Sequence, residues 1–106
     1  MMAVVTLLPG YYVKILVDVN AKVLAVFSNV TIQMESEHAV DVFIVDNDGL
    51  NKFEKQQPTF PIYYNQDGIS ALTTSLKLSI PQGQMAWVVI QSKTQYPYTA
   101  LYYNVT

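Results

Sequence analysis

Short runs of strand-forming residues, cut apart by Gly, Pro, Asn and Asp, constrain this chain more than any other feature. Val30 to Glu35 carries the pattern most cleanly. Val30, Ile32 and Met34 fall on one side of an extended backbone, and Thr31, Gln33 and Glu35 fall on the other. Side chains in a strand alternate with a period of two, so this segment predicts a half-buried strand. Thr74 to Ile80 repeats it, with Leu76, Leu78 and Ile80 set against Ser75, Lys77 and Ser79. Val40 to Val45 is apolar on both sides apart from Asp41, and Met85 to Ile90 is apolar throughout, which predicts strands deep in a sheet.

Tyr11 to Val17, Lys22 to Phe27 and Tyr98 to Val105 read as further strands, the last with Leu101, Tyr103 and Val105 on one side. Ser28-Asn29 suggests a bend or bulge, and Glu35-Ser36-Glu37-His38 a polar turn. Asn65-Gln66-Asp67-Gly68 and Pro81-Gln82-Gly83-Gln84 are turn sequences. Asp46 to Gln57 breaks the strand pattern. Leu50 and Phe53 sit three apart behind Asn47 or Asp48 as a cap, which predicts a short helix near 48–56. Connections this short leave no room for helical crossovers, so pairing should be antiparallel. The expectation is a single all-β domain over residues 1–106. It would be an antiparallel two-sheet β-sandwich of about eight short strands, jelly-roll-like or Ig-like. Val30, Ile32, Met34, Val42, Ile44, Leu76, Leu78, Trp87 and Val89 are its expected core.

The same segment order resembles the small β-sandwich modules typified by Golgi-dynamics (GOLD) domains and by bacterial or archaeal prepeptidase C-terminal domains. The resemblance rests on the aromatic-led Tyr11-Tyr12-Val13-Lys14-Ile15 and on the run Val40 to Val45 ending at Asp46. It also rests on the Pro-x-Gly turn at Pro81-Gln82-Gly83 leading into the Trp87 strand, and on the finish Leu101-Tyr102-Tyr103-Asn104-Val105. It implies a binding or accessory module and carries over no catalytic residue.

Charge narrows the function classes. Asp, Glu, Lys and Arg make up 13% of the residues, with no arginine and a net charge of −2. A nucleic-acid binder normally presents a basic stripe to neutralise phosphates, so that class is not expected. Without cysteine there is no disulfide, thiolate nucleophile or cysteine zinc site. No apolar run reaches the roughly 18 to 20 residues of a membrane span, and any signal or anchor is expected outside this chain. Asn29-Val30-Thr31 and Asn104-Val105-Thr106 match the glycosylation acceptor pattern. Sparse charge, many Thr, Asn, Gln and Tyr residues, and no oxidisable thiol suit an extracytoplasmic or virion setting.

Several constellations bear on chemistry. Asp46, Asp48 and Asp67, with Asn47, supply oxygens of the kind calcium prefers, yet Asx residues beside Gly are mostly turn formers, so no metal or other cofactor is expected. Glu35 and Glu37 fall about 7 Å apart on one strand face, beside the lone His38. A pair of carboxylates at such a spacing is what glycoside hydrolysis requires. A solvated turn explains the same residues more simply. A Ser-His-Asp arrangement through Ser36 or Ser92 has no motif behind it. The tyrosines are more informative: Tyr63-Tyr64 and Tyr96-Pro97-Tyr98 sit beside prolines, where rigid backbone would present rings to a partner. The expected function is a non-catalytic module binding a protein partner or itself through Tyr63, Tyr64, Tyr96 and Tyr98. A carbohydrate-binding module is the alternative, and a small glycoside hydrolase-like enzyme the second.

Overall fold

A computed structural model describes residues 2–17 and 27–106. Its strands are β1 (Ala3–Leu7), β2 (Tyr12–Leu16), β3 (Phe27–Val45), β4 (Tyr64–Ser79), β5 (Trp87–Ser92) and β6 (Thr99–Val105), with one helix, α1 (Asn47–Glu54). Every pairing among them is antiparallel, and they form one six-stranded sheet in the order β1-β6-β3-β5-β2, with β4 on the other edge of β3. The described residues are all-β with one short helix, as the punctuation and alternation predict.

The sheet is built as four lanes. β3 forms one lane alone and β4 another beside it. On the opposite edge of β3, β6 pairs with Ile32 to Ser36 and β5 with Val40 to Val45, so β5 and β6 follow one another along the same lane. β1 and β2 make the fourth lane, pairing with β6 and β5 respectively. All four lanes change direction at the same level. β3 loses register between Glu35 and Val40, and β4 shifts opposite it. Leu8-Pro9-Gly10-Tyr11 turns with Tyr11 N donating to Leu8 O at 3.0 Å and Gly10 at φ 76°. Residues 93–98 loop out between β5 and β6.

The result is a curled sheet with two arms. A bare arm holds β1, β6, the first half of β3 and residues 71–79 of β4. A covered arm holds β2, β5, the second half of β3 and residues 64–69 of β4. A straight strand of the 19 residues in β3 would run about 60 Å, whereas the longest dimension of the molecule is 43 Å. Side chains from both arms meet inside the curl: Val30, Ile32, Met34 and Leu101 from one, Val40, Val42, Ile44, Val88 and Ile90 from the other, all buried. A second, smaller cluster lies on the outer side of the covered arm, where Phe43, Val45 and Val89 pack under Leu50, Phe53 and Phe60.

Several sequence expectations change. Glu35-Ser36-Glu37-His38 is no turn; it stays extended inside β3 because Glu35 and Ser36 pair with Tyr102 and Leu101 across the sheet. Ser28 and Asn29 are likewise in regular register with Leu78 and Lys77. Asn65-Gln66-Asp67-Gly68 does not reverse the chain. Gly68 takes φ 65° within β4, and its N–H donates to Asp41 Oδ1 at 2.9 Å, which converts turn chemistry into a bulge. Val30 to Glu35 and Val40 to Val45 therefore fuse into β3, β4 runs through the expected turn at 65–68, and the described residues hold six strands where about eight were expected. Ala3–Leu7 is a strand that the sequence did not single out. The expected strand at 22–27 falls almost wholly outside the described residues. Of the expected core, Val30, Ile32, Met34, Val42, Ile44 and Val89 are buried; Leu76 and Leu78 are partly covered, and Trp87 borders the outer cluster.

Candidate functional site

Three regions collect the polar and aromatic side chains. The first is the helix and its seating on the covered arm. Asp46, not Asn47 or Asp48, caps α1, accepting from Gly49 N at 2.8 Å. Its other oxygen accepts from the Tyr63 hydroxyl at 2.9 Å. Burial of the ring, reinforced by that carboxylate, raises the Tyr63 pKa to about 12. Below the helix, Phe53 meets Tyr12 and Phe43 edge-on, with ring centroids 4.9 and 5.0 Å apart. Glu54 receives the Tyr12 hydroxyl at 2.6 Å and Lys14 Nζ at 3.0 Å. These two donors hold its carboxyl below the usual range, the tyrosine bond first, and the same bond raises Tyr12 to about 12. Trp87 Nε1 donates to Asn47 Oδ1 at 2.7 Å. Every group here is engaged in fastening α1 to the sheet.

The second region is the bend. Asp41 accepts from Lys93 at 2.8 Å as well as from Gly68, so one carboxylate ties the β5–β6 loop to the bulge in β4. That hydrogen bond raises the Lys93 pKa. Gln91 Nε2 and the Ser92 hydroxyl donate to the carbonyls of Gly10 and Leu8, at 3.0 and 2.6 Å, fixing the Pro9-Gly10 turn against β5. His38 stacks flat on Tyr96, with centroids 4.2 Å apart and planes 4° apart, and Glu37 lies 3.5 Å from its Nε2. His38 is half-buried within β3, not exposed in a turn.

The third region is the outer face of the bare arm. The register sets Val4, Tyr102, Glu35 and Ala71 side by side across four strands, with Asn104, Gln33 and Thr73 in the next row. Nothing among the described residues covers this face: Val4 is 64% exposed and Tyr102 45%. An open cleft of about 280 Å³ lies here, lined by Met2, Gln33, Met34, Glu35, Ala71 and Thr73.

The four tyrosines expected to act together are placed in two groups. Tyr63 and Tyr64 pack against the main core at the far end of the covered arm. Tyr96 and Tyr98 lie in the loop at the bend, about 20 Å away along β3 by the rise per residue. Of the four, Tyr98 is the well-exposed ring, and Tyr11 and Tyr102 are as open. Tyr102 was readable as the outward partner of Tyr103, but which of an alternating pair faces solvent depends on the strand beside it. Asp46, Asp48 and Asp67 have separate partners in Tyr63, Gln84 and Asn65. Among the described residues no group of three or more His, Asp or Glu side chains is arranged to hold a metal ion, and no helix is long and apolar enough to cross a membrane. Glu35 lines the cleft while Glu37 turns to His38. The sequence matches no protein-family model and no curated protein.

Proposed function

We propose that this chain is a non-catalytic binding module that contacts a protein partner through the outer face of its bare arm. The single observation behind this reading is the contrast in cover. One arm has the centre of its outer face packed under a helix, Phe53 and Phe60, with Leu16 open at its edge, while the other leaves Tyr102, Val4 and the Met2 cleft open. Exposed rings supply contact area at low entropic cost, and a face with one carboxylate repels few partners. Tyr98, at the start of the β6 lane, extends the surface towards the bend. The absence of catalysis is part of the proposal: the cleft has Glu35 as its one titratable side chain, whereas two-carboxylate hydrolysis needs a second across the substrate. The sandwich expectation enters here too, with the two arms read as its two layers around their shared core.

A carbohydrate ligand is the second reading. It is favoured by the hydrogen-bonding side chains of Gln33, Glu35 and Thr73 beside an exposed ring, a combination suited to a sugar's polar edge and apolar face. Pull-down and glycan-array binding with wild type, Tyr102→Ser and Tyr64→Ser decide between them. Protein capture lost in Tyr102→Ser but kept in Tyr64→Ser supports the first reading, a sugar ligand lost in Tyr102→Ser supports the second, and turnover abolished by Glu35→Gln overturns both.

A further inference from the structure

We infer that residues 55–62, the segment leaving α1, are a docking site for a proline-recognition domain, a partner with an aromatic-lined groove and an acidic rim. This inference does not depend on the outer-face reading, because the segment lies over the covered arm. Its sequence is Lys55-Gln56-Gln57-Pro58-Thr59-Phe60-Pro61-Ile62, in which a lysine and two prolines recur at every third residue. A polyproline helix has three residues per turn of about 9 Å, so prolines three apart share one edge of it. Aromatic-lined grooves grip that edge.

The helix does not require these prolines to end it. Gln56 takes the left-handed conformation at φ 58°, and the Gln56 and Gln57 amides donate to Phe53 O and Lys52 O, at 3.0 Å each. That pair of bonds closes a helix at its C-terminus, and it is complete before Pro58 is reached. The chain then bends at Pro58 and runs on to Ile62 in neither helix nor strand. Nor do the prolines fill the core. Pro58 and Pro61 are both exposed, as are Thr59 and Ile62, while Phe60 between them packs into the cluster with Phe43 and Phe53. Phe60 and the Tyr63 amide, which donates to Ile44 O at 2.9 Å, pin the segment to the sheet. The proline rings fix φ, and the residues before them are biased to extended backbone. A partner would meet a segment already ordered, with little freedom left to lose.

Charge specifies the partner's rim. Lys52 and Lys55, three apart at the end of α1, are exposed, and among the described residues neither pairs with an acid. Glu54 beside them is committed to Tyr12 and Lys14 on the sheet. The approach to Pro58 is therefore locally basic in a chain whose net charge is −2, and it complements carboxylates at one end of a groove.

Titration of the isotope-labelled protein with a panel of isolated proline-recognition domains, half with acidic rims and half with neutral ones, tests this. An acidic-rimmed domain should bind and shift the amides of Gln56, Gln57, Thr59, Phe60 and Ile62, leaving those of Val4 and Tyr102 in place. Pro58→Ala and Lys55→Glu should each weaken that binding, the first roughly tenfold or more. Both side chains are exposed, so the unfolding midpoint of each variant should stay near that of the wild type, which separates lost docking from lost folding. Binding by no domain of the panel overturns the inference, as does binding indifferent to Pro58→Ala. Neutral-rimmed domains that bind as well, indifferent to Lys55→Glu, overturn the acidic rim. A domain that shifts Val4 and Tyr102 instead would belong to the outer face and overturn this site.

Discussion

Along β3 the outward side chains change character at the bend. Before it, Thr31, Gln33 and Glu35 point away from the core into solvent; after it, Phe43 and Val45 point the same way into a cluster closed by Leu50, Phe53 and Phe60. One strand thus has a two-faced sheet's pattern in its first half and a buried strand's pattern in its second. The difference teaches that α1 and the Phe60 segment are present because the second half demands them. Phe43 and Val89 left open would expose apolar area that costs about 25 cal/mol per Å² to hydrate. The bare arm makes no such demand, and its outer face is free to meet something else.

The sharpest way to break this comparison is to truncate one outward residue in each half of the same strand. Phe43→Ala should cost about 3–5 kcal/mol by urea unfolding, since it empties a site between two other rings. Gln33→Ala, exposed on the bare arm, should stay within about 0.5 kcal/mol. Equal losses would mean that the arms are not differently covered.

A smaller effect tests how closely the helix is seated. Gly→Ala in a helix interior ordinarily stabilises, by about 0.5–1 kcal/mol. At Gly49 the added Cβ would lie 2.9 Å from Val45 Cβ and 3.1 Å from Pro61 O, so the sign should reverse to a loss of about 1–3 kcal/mol. A stabilised Gly49→Ala would show that α1 is held loosely over the covered arm.

The smallest expected effect is a pH dependence. Tyr63 and Tyr12 both bind to the helix region and both have pKa values raised to about 12. The folded state holds their protons more tightly than the unfolded chain does. Their contribution is therefore complete below pH 10 and is lost as pH rises from 10 towards 12. Tyr63→Phe should flatten the fall in stability over that window, and an unchanged slope would detach the Tyr63–Asp46 bond from the seating of the helix.

Much of this was legible locally. The alternation at Val30 to Glu35 and at Thr74 to Ile80 told which side faces the core, because period-two patterning needs no knowledge of neighbours. The double-sided apolar runs at Val40 to Val45 and Met85 to Ile90 announced strands with cover on both faces. Leu50 and Phe53 located the helix. At the candidate surface the sequence marked tyrosine pairs but not which ring of each pair would be open.

Tertiary structure decided where the chain turns. Asn65-Gln66-Asp67-Gly68 and Glu35 to His38 have turn-forming composition, yet both remain within long strands, because each is held by partners far away in sequence: Asp41 on the Gly68 amide, Leu101 and Tyr102 beside Ser36 and Glu35. Local turn chemistry is worth a kilocalorie or so, and pairing with burial on both sides outweighs it. The same holds for Asp46, a turn residue by composition that becomes a helix cap and a tyrosine acceptor once α1 folds back onto β3. Patterning along the chain determined the faces of the strands and the class of the fold. The bend common to all four lanes, and with it the sealing of one arm and the exposure of the other, arose only from residues brought together across the sheet.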